Sequence, residues 1–366
     1  MSLIGTPSEK RLIKIAFVVQ LPKYVSPGQR FRFEQYENVL TTQGYSVDTL
    51  SFFNKATYNI LYNKGHSLQK FFGVVSGFSR RILFLFNAIG YNYLVLQREA
   101  APLGPPIFEW ILSKVLQKKI IYDFDDAIWI SNISESNKLA ATVKCFWKIK
   151  WICKWSYKVS AGNAYLANWA QQYNTDVTLL PTCVNTTNRY SKLKYQDTSE
   201  VVIGWTGSHS TLKYLLMVQP VLSRLEKEFN FCFLVICDRA PKLNLKSFQF
   251  IPWNETTEIE DLLKINIGIM PLEQDAWSEG KCGFKLIQYL ALGIPAVASP
   301  VGVNKKIIDQ GINGYLCLTE EAWYQALKTL LLDATLRTGM GAKGAQKIKA
   351  EYSIEANSAK FLSLFS

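Results

Sequence analysis

Two lysines four residues apart, Lys281 and Lys285, open the segment "GKCGFKLIQYLALGIPAVAS". At that spacing they share one face at the start of a helix, where the positive end of the helix dipole disfavours cations. Such a placement costs stability unless an anion lies against the two ammonium groups, and a pyrophosphate meets that need. The plainer alternative is a pair of solvated lysines. Gly293 and Pro295 then stop the helix and return the chain to an extended run.

Three more stretches carry chemistry at the ends of apolar runs. "IGWTGSHSTLKYL" brings Gly204, Gly207 and Ser208 to a strand end, where free amides and a helix start make an anion site or simply a capped turn. "LQREAAPLGPP" and "YDFDDAIW" place Arg98, Glu99, Asp123, Asp125 and Asp126 at two further strand ends. Three carboxylates in four residues could orient a sugar hydroxyl, act as a base or bind Mg2+, with helix capping as the dull alternative. "SPGQRFRFEQY" makes a turn at Gly28 and sets Arg30 and Arg32 at a helix start, either clamping carboxylates or phosphates or pointing at solvent.

The elements that must position these groups alternate between short apolar strands and helical patterns. Strands are predicted at 12–21, 45–50, 93–97, 119–124, 158–161 and 177–180, with helices at 31–43, 68–88, 107–116, 138–155 and 166–173. A polar stretch at 185–200 reads as a linker, and the pattern then restarts. Strands follow at 201–205, 231–237, 248–253, 265–271 and 294–299, then a turn and strand over 311–318. Helices fall at 211–228, 258–264, 284–292 and 305–309, and the chain is helical from 320 onward. The prediction is α/β: two Rossmann-like doubly wound domains, 1–190 and 191–350, facing a central cleft. Residues 351–366 form a helix packing back on the first domain. In such sheets ligands sit at the carboxyl ends of strands, so the cleft is the expected active site.

Bulk properties narrow the classes. The 366 residues exceed one ordinary core, and 48% hydrophobic with 13% aromatic residues excludes a disordered chain. Forty-one Lys plus Arg against 29 Asp plus Glu give +12, favouring anionic partners. Seven cysteines without CxxC spacing argue for free thiols in a cytoplasm, and two histidines make a His-based metal site improbable. The N-terminus lacks the apolar core of a signal peptide. The apolar stretch 71–97 is interrupted by Arg80 and Arg81, leaving neither flank the roughly 20 residues of a span. "KLAATVKCFWKIKWICKWSYK" spaces Trp147, Trp151 and Trp155 four apart among lysines, which suits an anionic bilayer interface or a domain-packing helix.

Taken together, these segments resemble the family 4 glycosyltransferases, retaining enzymes of the GT-B fold. The likeness spans nearly the whole chain and is most specific over 265–304. "YDFDDAIW" and "SPGQRFRFEQY" resemble a bacterial branch that builds surface polysaccharides. The resemblance implies a nucleotide-sugar donor on the C-terminal domain, a glycan or lipid-linked acceptor on the N-terminal one, and transfer with retention without an obligatory metal. No cofactor beyond the nucleotide-diphosphate sugar co-substrate is implied, and no nucleic acid is expected as partner. The protein would work in the cytoplasm, peripherally on the inner face of the plasma membrane. Residue by residue, the donor side would comprise Gly207, Ser208, Lys213, Lys281, Lys285 and Gln288, with Trp253 flanking the base. Asp125, Asp126 and Arg98 would carry catalysis, and Gly28, Arg30, Arg32 and Glu99 would hold the acceptor. The family's pair of glutamates is replaced here by Gly280 and Gln288. Two alternatives stay open: an epimerase of the same fold, and a non-catalytic basic protein that binds membrane or nucleic acid.

Overall fold

The structure is a computed structural model that describes residues 12–131 and 143–366. Among these residues two six-stranded sheets form, both parallel throughout. The first comprises β1 (Ile13–Val19), β2 (Tyr45–Ser51), β3 (Tyr93–Gln97), β4 (Lys119–Phe124), β5 (Lys158–Ala161) and β6 (Val177–Leu179), in the order β2-β1-β3-β4-β5-β6. The second comprises β7 (Val202–Gly207), β8 (Cys232–Cys237), β9 (Phe248–Pro252), β10 (Ile267–Met270), β11 (Ala296–Ala298) and β12 (Gly314–Leu316), in the order β12-β11-β10-β7-β8-β9.

The central strands explain why the apolar runs were legible. β3 and β8 are buried at every residue, as expected of parallel strands covered by helices on both faces. Edge strands β2, β6 and β9 are only half-buried. Each sheet reverses its winding once, between β1 and β3 in the first and between β7 and β10 in the second. Both reversals open a crevice at the carboxyl ends of the strands, where a doubly wound sheet binds ligands.

Two helical segments depart from expectation. The helix expected over 31–43 divides into Pro27–Arg32, a 3-10 turn at Glu34–Tyr36 and Glu37–Thr42. The break serves the preceding loop: Gln29 and Glu34 accept the backbone N–H groups of Leu21 and Tyr24, at 3.0 and 2.9 Å. The helix expected over 211–228 is a 3-10 run, His209–Met217, followed by Gln219–Leu225. Of the helix expected over 138–155, Lys148–Trp155 is present, while 138–142 lie outside the described residues.

The last helix, Ile354–Leu362, lies on the first sheet's side of the molecule. Phe361 stacks on Tyr36 with ring centroids 4.2 Å apart, and Phe365 meets Tyr93 edge-on at 5.5 Å. Ser353 bridges to Val184 through the backbone.

Candidate active site

The strand ends of the two sheets face one cavity of about 630 Å3. On its C-terminal wall, β7 ends at Gly207. The Thr206 N–H donates to Tyr289 Oη at 2.9 Å, fixing the strand end to the helix Phe284–Ala291. A Cβ at Gly207 would lie 2.4 Å from the Trp205 ring and 3.0 Å from Lys285 Cε, so glycine lets the lysine cross the strand end. Lys285 Nζ sits 5.3 Å from the Trp205 ring centroid, and no described carboxylate pairs with it. Burial, then the nearby charge of Lys281, pushes the Lys285 ammonium down to about 8.

Lys281 behaves differently, and the expected shared helix face is corrected. Gly283 takes a left-handed conformation (φ +67°) as the residue before the helix, which breaks the helical register between the two lysines. Lys281 therefore lies in a loop and reaches across the cleft to Asp126 Oδ1 at 2.9 Å. That loop is seated on the N-terminal domain. Asn163 Nδ2 donates to Lys281 O at 3.0 Å, Cys282 Sγ donates to Asp125 O at 3.1 Å, and a Cβ at Gly280 would lie 2.6 Å from that of Ala127.

On the N-terminal wall, Arg98 follows β3 in a left-handed conformation (φ +64°), unusual for a residue with a side chain. From there its Nη2 donates to Asp125 Oδ1 at 3.2 Å and Asp126 Oδ2 at 2.6 Å. Desolvation raises the Asp125 carboxyl above the ordinary range, Arg98 pulling against it and the neighbouring Asp126 charge adding to it. Desolvation also acts upward on Asp126, but Lys281 and Arg98 overcome it and hold that carboxyl below the ordinary range. Gly28 is packed under Asp125: a Cβ there would lie 3.1 Å from Asp125 Oδ2 and 2.9 Å from Gln97 Nε2.

A third corner centres on Glu258, which the sequence reading placed only at a helix start. Its Oε1 accepts Trp253 Nε1 at 3.2 Å and Gln288 Nε2 at 3.4 Å. Its Oε2 accepts Arg189 and, from the other domain, Arg30, at 2.7 and 2.9 Å. Gln288 also donates to Tyr190 Oη at 2.8 Å. At the cavity rim His209 Nδ1 lies 2.6 Å from Asp238 Oδ2, and Ser208 Oγ lies 2.8 Å from Ser210 Oγ.

Of the residues singled out from sequence, Gly28, Asp125, Asp126, Gly207, Ser208, Trp253, Lys281, Lys285 and Gln288 line this one cavity. Others do not. Arg32 is buried in a bidentate ion pair with Asp123, at 2.6 and 3.2 Å, and also donates to Ser160 and Leu180, so it points into the core. Arg30 closes a contact between domains. Glu99 accepts Gln20 Nε2 at 2.8 Å and lies 3.8 Å from Lys148. Lys213 sits exposed, 3.5 Å from Glu273, and does not line the cavity. Arg98 acts behind the two aspartates it holds. The residues missed are Glu258, Arg189, Tyr190, Thr182 and the His209–Asp238 pair. Arg189 and Tyr190 lie in the polar stretch read as a linker; the one available signal was that an aromatic and an arginine interrupt it.

Residues 200–333 match the family model described as glycosyl transferases group 1. No curated protein matches the chain. Among solved structures, sucrose-phosphate synthase from Thermosynechococcus elongatus aligns with a TM-score of 0.69 at 15% identity, covering 96% of this chain and 98% of that one. A glycosyltransferase from Rickettsia africae aligns at 0.67 and 16% identity, with 96% and 97% covered. Anabaena Alr3699/HepE in complex with UDP-glucose aligns at 0.64 and 12% identity, with 96% and 99% covered. The chain therefore has the GT-B fold: two facing Rossmann-like domains with the cavity described above between them.

Proposed function

We propose that the protein is a retaining glycosyltransferase that moves a sugar from a nucleotide-diphosphate donor to a hydroxyl of a glycan or lipid-linked acceptor in surface-polysaccharide synthesis. The observation that carries the reading is Lys285, a cation without a carboxylate partner among the described residues, at the winding reversal of the C-terminal sheet. The match of residues 200–333 to the glycosyl transferases group 1 model supports the same reading.

In this scheme the diphosphate lies against Lys285 and the amides at Gly207 and Ser208, with the sugar pointing toward Asp125 and Asp126. The bond from the anomeric carbon to the diphosphate oxygen breaks, and a bond to the acceptor oxygen forms on the same face. The acceptor proton passes to the departing phosphate or to Asp125. Lys285 and the amides at Gly207 and Ser208, fixed where charge develops on the departing diphosphate, supply the stabilisation. Trp253, oriented by Glu258, offers its face to the base, and Gln288 offers an amide to the ribose. Retention rests on the resemblance to family 4. The UDP-glucose bound by the Anabaena neighbour makes uridine donors the first to try.

The test is a thermal-shift series with UDP, GDP, ADP and their sugars, because a ligand that binds only the folded state raises the melting point. One nucleotide diphosphate should raise it clearly above its nucleoside. If none does at millimolar concentration, the donor reading fails. With an active pair in hand, the anomeric configuration of the product reports retention or inversion.

A further inference from the structure

The helix Ser67–Asn87 carries its apolar face on the outside. At 3.6 residues per turn, Leu68, Phe71, Phe72, Ile82, Leu83 and Phe86 fall within one arc of about 120°. All six are exposed, Phe86 by 76% and Leu68 by 74%. Its inner face is built from glycines and an arginine. A Cβ at Gly73 or Gly77 would lie 2.4 Å from Thr57 or Phe52, and Arg81 donates to the carbonyls of Ala100, Leu50 and Val19 at 2.6, 3.1 and 2.5 Å. A soluble surface helix normally has the opposite arrangement, and exposed apolar patches of this kind mark an interaction surface.

Charge identifies the occupant. From residue 49 to residue 98 the chain contains no Asp or Glu, while Lys55, Lys64, Lys70 and Arg80 fall in the same span. Arg80, at the flank of the apolar arc, has Nε and Nη2 buried without a hydrogen-bond partner among the described residues. The guanidinium charge, unpaired among the described residues, suits an anionic headgroup at that flank of the helix. The neighbouring helices Ile107–Trp110 and Lys148–Trp155 also expose aromatics, Trp110 and Trp151, with Trp147 exposed just before the second. By length and composition the segment Ser67–Gly90 could cross a bilayer. Arg81 and the two glycines hold it against the domain instead.

We infer that the helix Ser67–Asn87 lies in the plane of an anionic lipid bilayer, its apolar face in the acyl boundary and Arg80 on a headgroup phosphate. Such a helix binds by apolar area plus attraction to anionic lipid, without spanning. The cavity would then be held near the surface that carries a lipid-linked acceptor. The inference does not rest on the transfer reaction, because binding is measured without donor.

The test is co-sedimentation of the full chain with vesicles of phosphatidylcholine alone and of phosphatidylcholine with phosphatidylglycerol in equal parts. The wild type should partition onto the anionic vesicles at least about tenfold more strongly than onto the neutral ones. The variant Phe72→Ser/Leu83→Ser/Phe86→Ser should lose that binding with its melting point and nucleotide-induced thermal shift unchanged. Arg80→Gln, with the apolar face intact, should lose the preference for anionic vesicles and keep any neutral binding. The inference is overturned if the wild type stays in the supernatant, or if the triple variant binds as well. It is also overturned if sedimentation velocity shows a dimer that the triple variant dissolves while vesicle binding is absent.

Discussion

The two walls of the cleft treat charge in opposite ways. On the N-terminal wall every cation named here has its counter-ion inside the protein: Arg32 has Asp123, Arg98 has Asp125 and Asp126, and Arg30 reaches Glu258. On the C-terminal wall Lys281 is claimed by Asp126 across the gap, and Lys285 faces the cavity without one among the described residues. A wall with its charges already matched suits a neutral partner such as a hydroxyl, whereas an unmatched cation in a half-buried site waits for an anion. The difference agrees with the proposed acceptor side on the N-terminal wall and donor side on the C-terminal wall.

The comparison predicts different consequences for arginine and lysine changes. Arg32→Met should be the most damaging to folding. It strands the buried Asp123 carboxylate, a loss of about 3–5 kcal/mol that urea unfolding would read. If Arg32→Met instead retains stability and loses only acceptor affinity, the N-terminal wall is misread.

A pH profile sharpens the other side. Burial and Lys281 push the Lys285 ammonium down to about 8, and a diphosphate bound against it would raise it again. Below about pH 7 the lysine is charged with or without ligand, so it contributes no pH dependence there. Above 8 the free protein loses the proton, binding must recover it, and UDP affinity should fall by up to tenfold per pH unit. Isothermal titration in buffers of different ionisation enthalpy should show proton uptake in that range. A profile that stays flat above pH 9 removes Lys285 from the site.

A smaller effect is expected at Trp253. Losing a ring against the base costs about 1–3 kcal/mol in comparable stacking contacts. Trp253→Ala should therefore raise the donor KM about 5- to 150-fold by the same measure while kcat holds. An equal loss in kcat would place the ring at the reacting centre.

Much of the fold was legible because each central strand is a continuous apolar run. "IKIAFVV" and "FCFLVIC" can be little else in a chain with this alternation. Helix continuity was less legible where side chains bond to the local backbone. Around Ser208 to Thr211, the Thr211 N–H and hydroxyl both bond Ser208 O, and the turn tightens into a 3-10 run. In the site, strand-end glycines and charged residues marked the cavity, since the carboxyl edge of a parallel sheet is where loops meet. Sequence could not show which charges would cancel. Arg30 and Arg32 sit two apart in the chain, yet one crosses to Glu258 in the other domain and the other turns into the core toward Asp123. Lys281 and Lys285 likewise separate because one left-handed glycine intervenes. Long-range pairing is set by topology, and local spacing carries no trace of it.

The most direct measurement compares UDP and uridine binding to the wild type and to Lys285→Met at pH 7. An ammonium that meets the diphosphate predicts UDP affinity falling by about 100-fold or more, with uridine affinity and the melting point unchanged. Equal UDP binding by the two proteins would contradict the account, since the unmatched cation would then face the cavity without serving the donor.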